Sequence, residues 1–165
     1  MRGWKYLKRR RCCRRVRLKR SSMRVYSPKP KPLPPVSKLK RKLWKIFSEY
    51  IRRRSADWRG NASCVTCGVT KNWKELQAGH FVQGRHNMVL FDLKNTQVQC
   101  YVCNVVKHGN LLEYYDYMLN NYGRDVIKEL RSLDKQNKQF TSLELLEKIT
   151  FYQTALKELD QTYGD

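Results

Sequence analysis

An α+β fold, with a small cysteine-stapled core between flanking helices, is predicted by three features of the sequence. Cys64-Val-Thr-Cys67 and Cys100-Tyr-Val-Cys103 form two C-x-x-C pairs. Between them lie short apolar runs bounded by Gly and Asn, the pattern of short strands. Outside them, apolar residues recur at helical spacing. A C-x-x-C turn brings two thiolates together, and two such turns complete the tetrahedral four-sulfur shell that structural zinc prefers. Gly68 gives the first knuckle a permissive backbone. Two unrelated buried pairs or an iron–sulfur cluster are the alternatives, and nothing in the sequence suggests electron transfer. The pairs are 32 residues apart, so a folded segment is expected between them.

Charge divides the chain before this core begins. Residues 1–60 hold 23 basic and 2 acidic residues, whereas residues 61–165 hold 12 of each. The whole formal charge of +21 therefore belongs to the first part, which implies a polyanionic partner, most simply DNA or RNA. Arg9, Arg10, Arg11, Arg14, Arg15, Arg17, Lys19 and Arg20 repel one another in an arm that is either a solvated tail or a phosphate-contacting segment. Cys12 and Cys13 show no metal-ligand spacing and read as free thiols. All five prolines fall in residues 28–35, the composition of a polyproline II spacer. The first residues lack the apolar region of an export signal, and no apolar run approaches the roughly 18–20 residues of a membrane span. The expectation is a soluble protein in a reducing compartment, without a membrane partner.

The organisation expected is an arm and linker over 1–35, a lead-in helix and core over 36–123, and a helical extension over 124–165. Ser37 is the expected N-cap of the lead-in helix, with Leu39, Leu43, Ile46, Phe47, Tyr50 and Ile51 on its packed side. Its C-terminal turn carries Arg52, Arg53 and Arg54, expected to suit the helix dipole and to face DNA. Within the core, residues 77–82 predict one strand, 84–87 a polar turn and 88–91 a second strand. A helix after Cys103 would then set Asn104 and His108 on one face. Residues 111–122 and 124–137 predict helices separated by Gly123. A last helix begins near Thr141, where Thr141 and Glu144 fit a capping box. Its stripe of Leu145, Leu146, Ile149, Tyr152, Leu156 and Leu159 would buttress the core or form a homodimer interface.

AGHF at residues 78–81, FDLKNTQVQCYVCN at 91–104 and KHGNLLEYY at 107–115 resemble the phage NinG family, also called Rap, of recombination endonucleases. The wider pattern resembles the ββα-metal, or HNH-like, nuclease core, and the likeness runs over residues 39–123. The resemblance implies a metal-dependent endonuclease acting on branched DNA such as Holliday junctions or D-loops, in the cytoplasm of a bacterial host. It makes His80 the general base that activates water, an imidazole that titrates near neutrality. Asn95 would fix the hairpin and orient His80. Asn104 and His108 would hold a catalytic Mg2+ or Mn2+, beside the structural Zn2+ of the four cysteines. Arg85 and Lys107 would contact phosphates. One position departs from the pattern: many such sites carry Asp immediately before the catalytic His, and here that residue is Gly79. Magnesium prefers carboxylate oxygen, so Asp92 or Glu113 would have to complete the shell; a nickel- or zinc-tolerant site is the other possibility. The alternative function is a catalytically inactive zinc module that binds DNA or RNA.

Overall fold

The structure, a computed structural model, describes residues 32–84 and 86–163. The arm, its eight named basic residues, Cys12, Cys13 and Arg85 lie outside the described residues. From Leu33 onward the chain forms one compact unit.

Helix α1, Val36–Arg53, buries Leu39, Leu43, Phe47 and Ile51, four residues spaced by four that make a single apolar stripe. It starts one residue before the expected Ser37 cap. Pro35, extended at φ −63° and ψ 145°, occupies the cap position instead. Its carbonyl accepts the Lys38 and Leu39 N–H groups at 3.0 and 3.2 Å, so no side-chain cap is needed there.

Two small antiparallel sheets follow. Strand β1, Asn61–Ser63, pairs with β2, Thr70–Asn72, around the first cysteine knuckle. A 3₁₀ turn at Trp73–Glu75 leads into β3, Gln77–His80. β3 pairs with β4, Thr96–Gln99, in a register that sets Gln77 opposite Gln99 and His80 opposite Thr96. The expected second strand over 88–91 is corrected here: that segment lies in a short helix, α2, Asn87–Leu90. A four-residue apolar run has no period that separates strand from helix. Moreover, the Asp92 carboxylate accepts the Lys94 and Asn95 N–H groups, both at 2.8 Å, and turns the chain before it can pair. The true partner strand, Thr-Gln-Val-Gln, is mostly polar yet wholly buried, so hydropathy concealed it.

Asn95 clasps this unit. It is fully buried; its Oδ1 accepts the Val82 N–H at 2.8 Å, and its Nδ2 donates to the Val89 carbonyl at 3.0 Å. One side chain thus joins the end of β3, α2 and the turn into β4.

A π-helical turn at Val102–Val106 follows the second knuckle. Helix α3, Leu111–Asp134, is broken at Gly123, whose φ of 79° and ψ of 170° leave helical geometry where the sequence predicts a boundary. Helix α4, Ser142–Tyr163, lies against α1 and contributes Leu145, Ile149 and Tyr152 to the same apolar cluster as Leu43 and Phe47. Phe47 meets both Phe91 and Tyr152 edge-on, at ring separations of 5.7 and 5.1 Å. A second cluster gathers Phe81, Val89, Tyr114, Met118, Ile127 and Leu130 between the hairpin and α3. Among the described residues, no helix is long and apolar enough to cross a membrane.

The capping box at α4 is formed as the sequence predicts. The Thr141 N–H reaches Glu144 Oε2 at 2.8 Å, and the Glu144 N–H reaches Thr141 Oγ1 at 3.2 Å. The Thr141 backbone N–H, then its hydroxyl, hold the Glu144 carboxyl below its ordinary range.

Two outcomes are predicted. Because the Glu144 pKa is depressed in the folded chain, its contribution should be present above the unfolded value and fade as pH falls through the folded one. Glu144→Gln should therefore lower the melting temperature at neutral and alkaline pH and converge on wild type at low pH. Phe47→Ala should cost about 3–5 kcal/mol in urea unfolding, because Phe47 is fully buried where α1, α2 and α4 meet. A loss under about 1 kcal/mol would contradict this core.

Candidate functional site

The four knuckle sulfurs converge. The ligand atoms of Cys64, Cys67, Cys100 and Cys103 all lie within 4.8 Å of one another, and three of these residues are buried. Cys67 and Cys100 Sγ are 3.8 Å apart, close to the edge of a tetrahedron with zinc–sulfur bonds of about 2.3 Å. The set can therefore hold a metal such as zinc. Its electrostatics favour a cation. Burial raises the Cys64 thiol, but the Thr66 hydroxyl and the backbones of Cys100, Thr66 and Cys67 outweigh it and bring it down to about 6. At Cys67 the Val69 backbone favours thiolate, yet burial and the three neighbouring sulfurs push the thiol up to about 12. Four like groups cannot ionise together in this space without a dication to compensate them.

His80 closes β3 on the side of the hairpin that faces α1. Its ring stacks on Trp44 at a centroid separation of 5.0 Å and an interplanar angle of 20°. Its Nε2 lies 3.0 Å from the Leu90 carbonyl oxygen. A carbonyl only accepts, so Nε2 carries the proton in the neutral ring and the lone pair belongs to Nδ1. Beside it opens a cleft of about 510 Å³ lined by Ser37, Lys40, Arg41, Trp44, Lys45 and Leu90. Trp44 and Leu90, the two residues that fix His80, are thus also walls of a cationic cleft. Lys40 is itself positioned, donating to Asn87 Oδ1 at 2.7 Å. The sequence places basic residues on this helix without singling out Lys40, Arg41, Lys45 or Trp44. Their i, i+1, i+4, i+5 spacing is a signal that could have found them.

Asn104 lies on the opposite face. Its Nδ2 donates to Gln77 Oε1 at 2.6 Å. A Cβ on Gly79 would stand 2.9 Å from Asn104 Oδ1 and only 2.0 Å from Gln99 Oε1. The Gln99 amide fills the space that an aspartate would need, so a side chain at position 79 would have to displace it. The buried Gln99 Oε1 finds no hydrogen-bond donor among the described residues.

The expected shared helical face of Asn104 and His108 is corrected. The helical geometry ends before His108, whose φ is +49°, and His108 is exposed with its carbonyl accepting Gln83 Nε2 at 2.6 Å. Asp92 serves the turn described above. Glu113 is exposed in the first turn of α3. Among the described residues, the four cysteines are the one group of three or more His, Cys, Asp or Glu side chains placed to hold a metal. Neutral amide oxygens without a carboxylate do not fit Mg2+ or Mn2+.

The arginines at the end of α1, expected to face DNA, also bond within the chain. Arg52 Nη1 donates to the Trp73 and Leu76 carbonyls at 3.3 and 3.4 Å, Arg53 pairs with Asp160, and Arg54 donates to the Leu93 carbonyl at 3.1 Å. Lys107 is exposed beside the second knuckle.

Purified protein should contain one zinc per chain by elemental analysis, and stripping it should unfold the region between the knuckles. Cys100→Ser should lower both zinc content and melting temperature. A metal-free chain with an unchanged melt would contradict a structural role for the cluster.

Comparison with known proteins gives a consistent picture. The family model described as "Bacteriophage Lambda NinG protein" matches residues 4–162. Protein ninG of Escherichia phage 933W is 31% identical over 112 residues, covering 67% of this chain and 52% of that protein. Protein ninG of Escherichia phage lambda is 30% identical over 112 residues with the same coverage, and that of Salmonella phage P22 is 31% identical over 111. The chain therefore spans about half the length of these relatives. No solved structure matches. From the family match over nearly its whole length, the chain belongs to the bacteriophage lambda NinG family.

Proposed function

We propose that the chain is a DNA endonuclease of the HNH-like type, acting on branched DNA such as Holliday junctions or D-loops during phage recombination in the host cytoplasm. The observation that carries this reading is His80 beside the cationic cleft. Its tautomer is set by the Leu90 carbonyl and its ring by Trp44. Lys40, Arg41 and Lys45 supply positive charge for a phosphodiester next to it.

In this reading Nδ1 of His80 accepts a proton as water attacks phosphorus. The new P–O bond forms while the bond to the 3′ oxygen breaks, and that oxygen takes a proton from solvent. The lysines and Arg41 offset the charge that grows on the non-bridging oxygens. The residues expected to hold a catalytic Mg2+ or Mn2+ do not fit that role, and the step is carried by the chain's own side chains. The four-cysteine cluster would carry structural zinc.

A second reading, a non-catalytic zinc module that binds DNA or RNA, is favoured by one observation. Gln99 packs against Gly79, at the position where many HNH-like sites carry an Asp.

One assay separates the two: cleavage of linear, flap, D-loop and four-way DNA, with and without added magnesium, manganese or nickel. Wild type should cut branched DNA, and His80→Ala should slow cleavage about 10²–10⁴-fold while retaining zinc and DNA affinity. Replacing Lys40, Arg41 and Lys45 by Ala should weaken binding. Its salt dependence should become shallower, by up to about 0.9 in log–log slope for each phosphate that is no longer neutralised. Unchanged cleavage by His80→Ala would remove it from the mechanism. Absence of cleavage by wild type on every substrate would favour the binding module.

A further inference from the structure

We propose that the turn over residues 57–61 is a stacking site for an unpaired nucleobase, with Trp58 as the platform. The inference rests on the nucleic-acid partner proposed above and is independent of hydrolysis. Trp58 is 71% exposed, far more than an indole needed for the core would be. The turn that presents it is nevertheless firmly held. Asp57 Oδ1 accepts the Arg59 and Asn61 N–H groups at 2.9 and 2.8 Å, and the Asp57 N–H donates to the Asn61 carbonyl at 2.8 Å. The Gly60 N–H returns to the Asp57 carbonyl, and the Trp73 N–H donates to the Gly60 carbonyl, both at 2.9 Å. Gly60 adopts φ +78°, a conformation that suits glycine, with the Trp73 ring close behind it.

The surroundings match a nucleotide. The Arg59 guanidinium lies 4.4 Å from the Trp58 ring centroid. Trp58 and Trp73 line one small cleft with Arg53, and Arg52, Arg53 and Lys74 all stand within 5.7 Å of the Trp73 ring centroid. An indole offers a face to any base, and the cations suit its phosphate. Paired bases keep their faces stacked on their neighbours, so the partner this tip selects is single-stranded nucleic acid or a base extruded at a branch.

The test uses the full zinc-loaded chain, a single-stranded oligonucleotide and a duplex of equal length, with binding read by fluorescence anisotropy. Trp58→Ala should weaken single-strand binding about 5- to 100-fold, with Trp58→Phe recovering most of it and duplex affinity nearly constant. Oligonucleotides carrying 5-iodouracil should photocross-link to Trp58. His80→Ala should keep both signals, so loss of stacking and loss of cleavage are separate results. Equal losses on single strand and duplex, or no loss on either, would overturn the proposal. The second of these is also the result expected if the exposed indole serves a protein partner.

Discussion

The convergence of four sulfurs is the constraint on which the functional region depends. It joins residues 64–67 to 100–103 and so fixes both ends of the segment that carries β3, α2 and β4. Cys100 follows β4 directly, and the Val65 N–H donates to the Val98 carbonyl at 2.9 Å, so the first knuckle is also laced to that strand. Gln99, one residue before the second knuckle, donates to Thr66 Oγ1 at 3.3 Å and to the Gly109 carbonyl at 2.8 Å. Its oxygen is thereby aimed at Gly79, one residue before His80. A short path of packed groups runs from the cluster to the histidine.

The β3–β4 hairpin has two faces with different chemistry. Alternation along β3 sends Gln77 and Gly79 toward Asn104 and sends Ala78 and His80 toward α1. His80 and Asn104 are consequently separated by the strand rather than gathered in one cluster. On the α1 side, an aromatic stack, a carbonyl and three cationic side chains meet. On the other, neutral amides pack against Gly79, and the Gln99 amide would have to move to admit a side chain there. The proposed hydrolysis is therefore assigned to the α1 face.

Much of this was legible in the sequence. The paired cysteines announced their cluster because C-x-x-C spacing is itself a geometric statement. The stripe of Leu39, Leu43, Phe47 and Ile51 announced α1, and Gly123 announced the break in α3. Thr141 and Glu144 announced a cap because the motif is local. What escaped was non-local. β4 hides its role behind Thr96, Gln97 and Gln99, which are buried only because Arg54, Tyr122, Thr66 and Gly109 lie around them. His108 looked helical by spacing, but its left-handed backbone ends that geometry. Arg52, Arg53 and Arg54 read as a DNA-facing run, and only the folded chain reveals the carbonyls and the carboxylate that they also meet.

The central proposal is that the Leu90 carbonyl holds the proton on Nε2 of His80 and that Nδ1 serves a phosphodiester in the α1 cleft. Nitrogen-15 NMR of the imidazoles in the full zinc-loaded chain tests this most directly. The account predicts the Nε2–H tautomer for His80, with Nδ1 shifting when DNA is added and the shift lost when Lys40, Arg41 and Lys45 are all replaced by Ala. An Nδ1–H tautomer, or an Nδ1 signal indifferent to DNA, would contradict it.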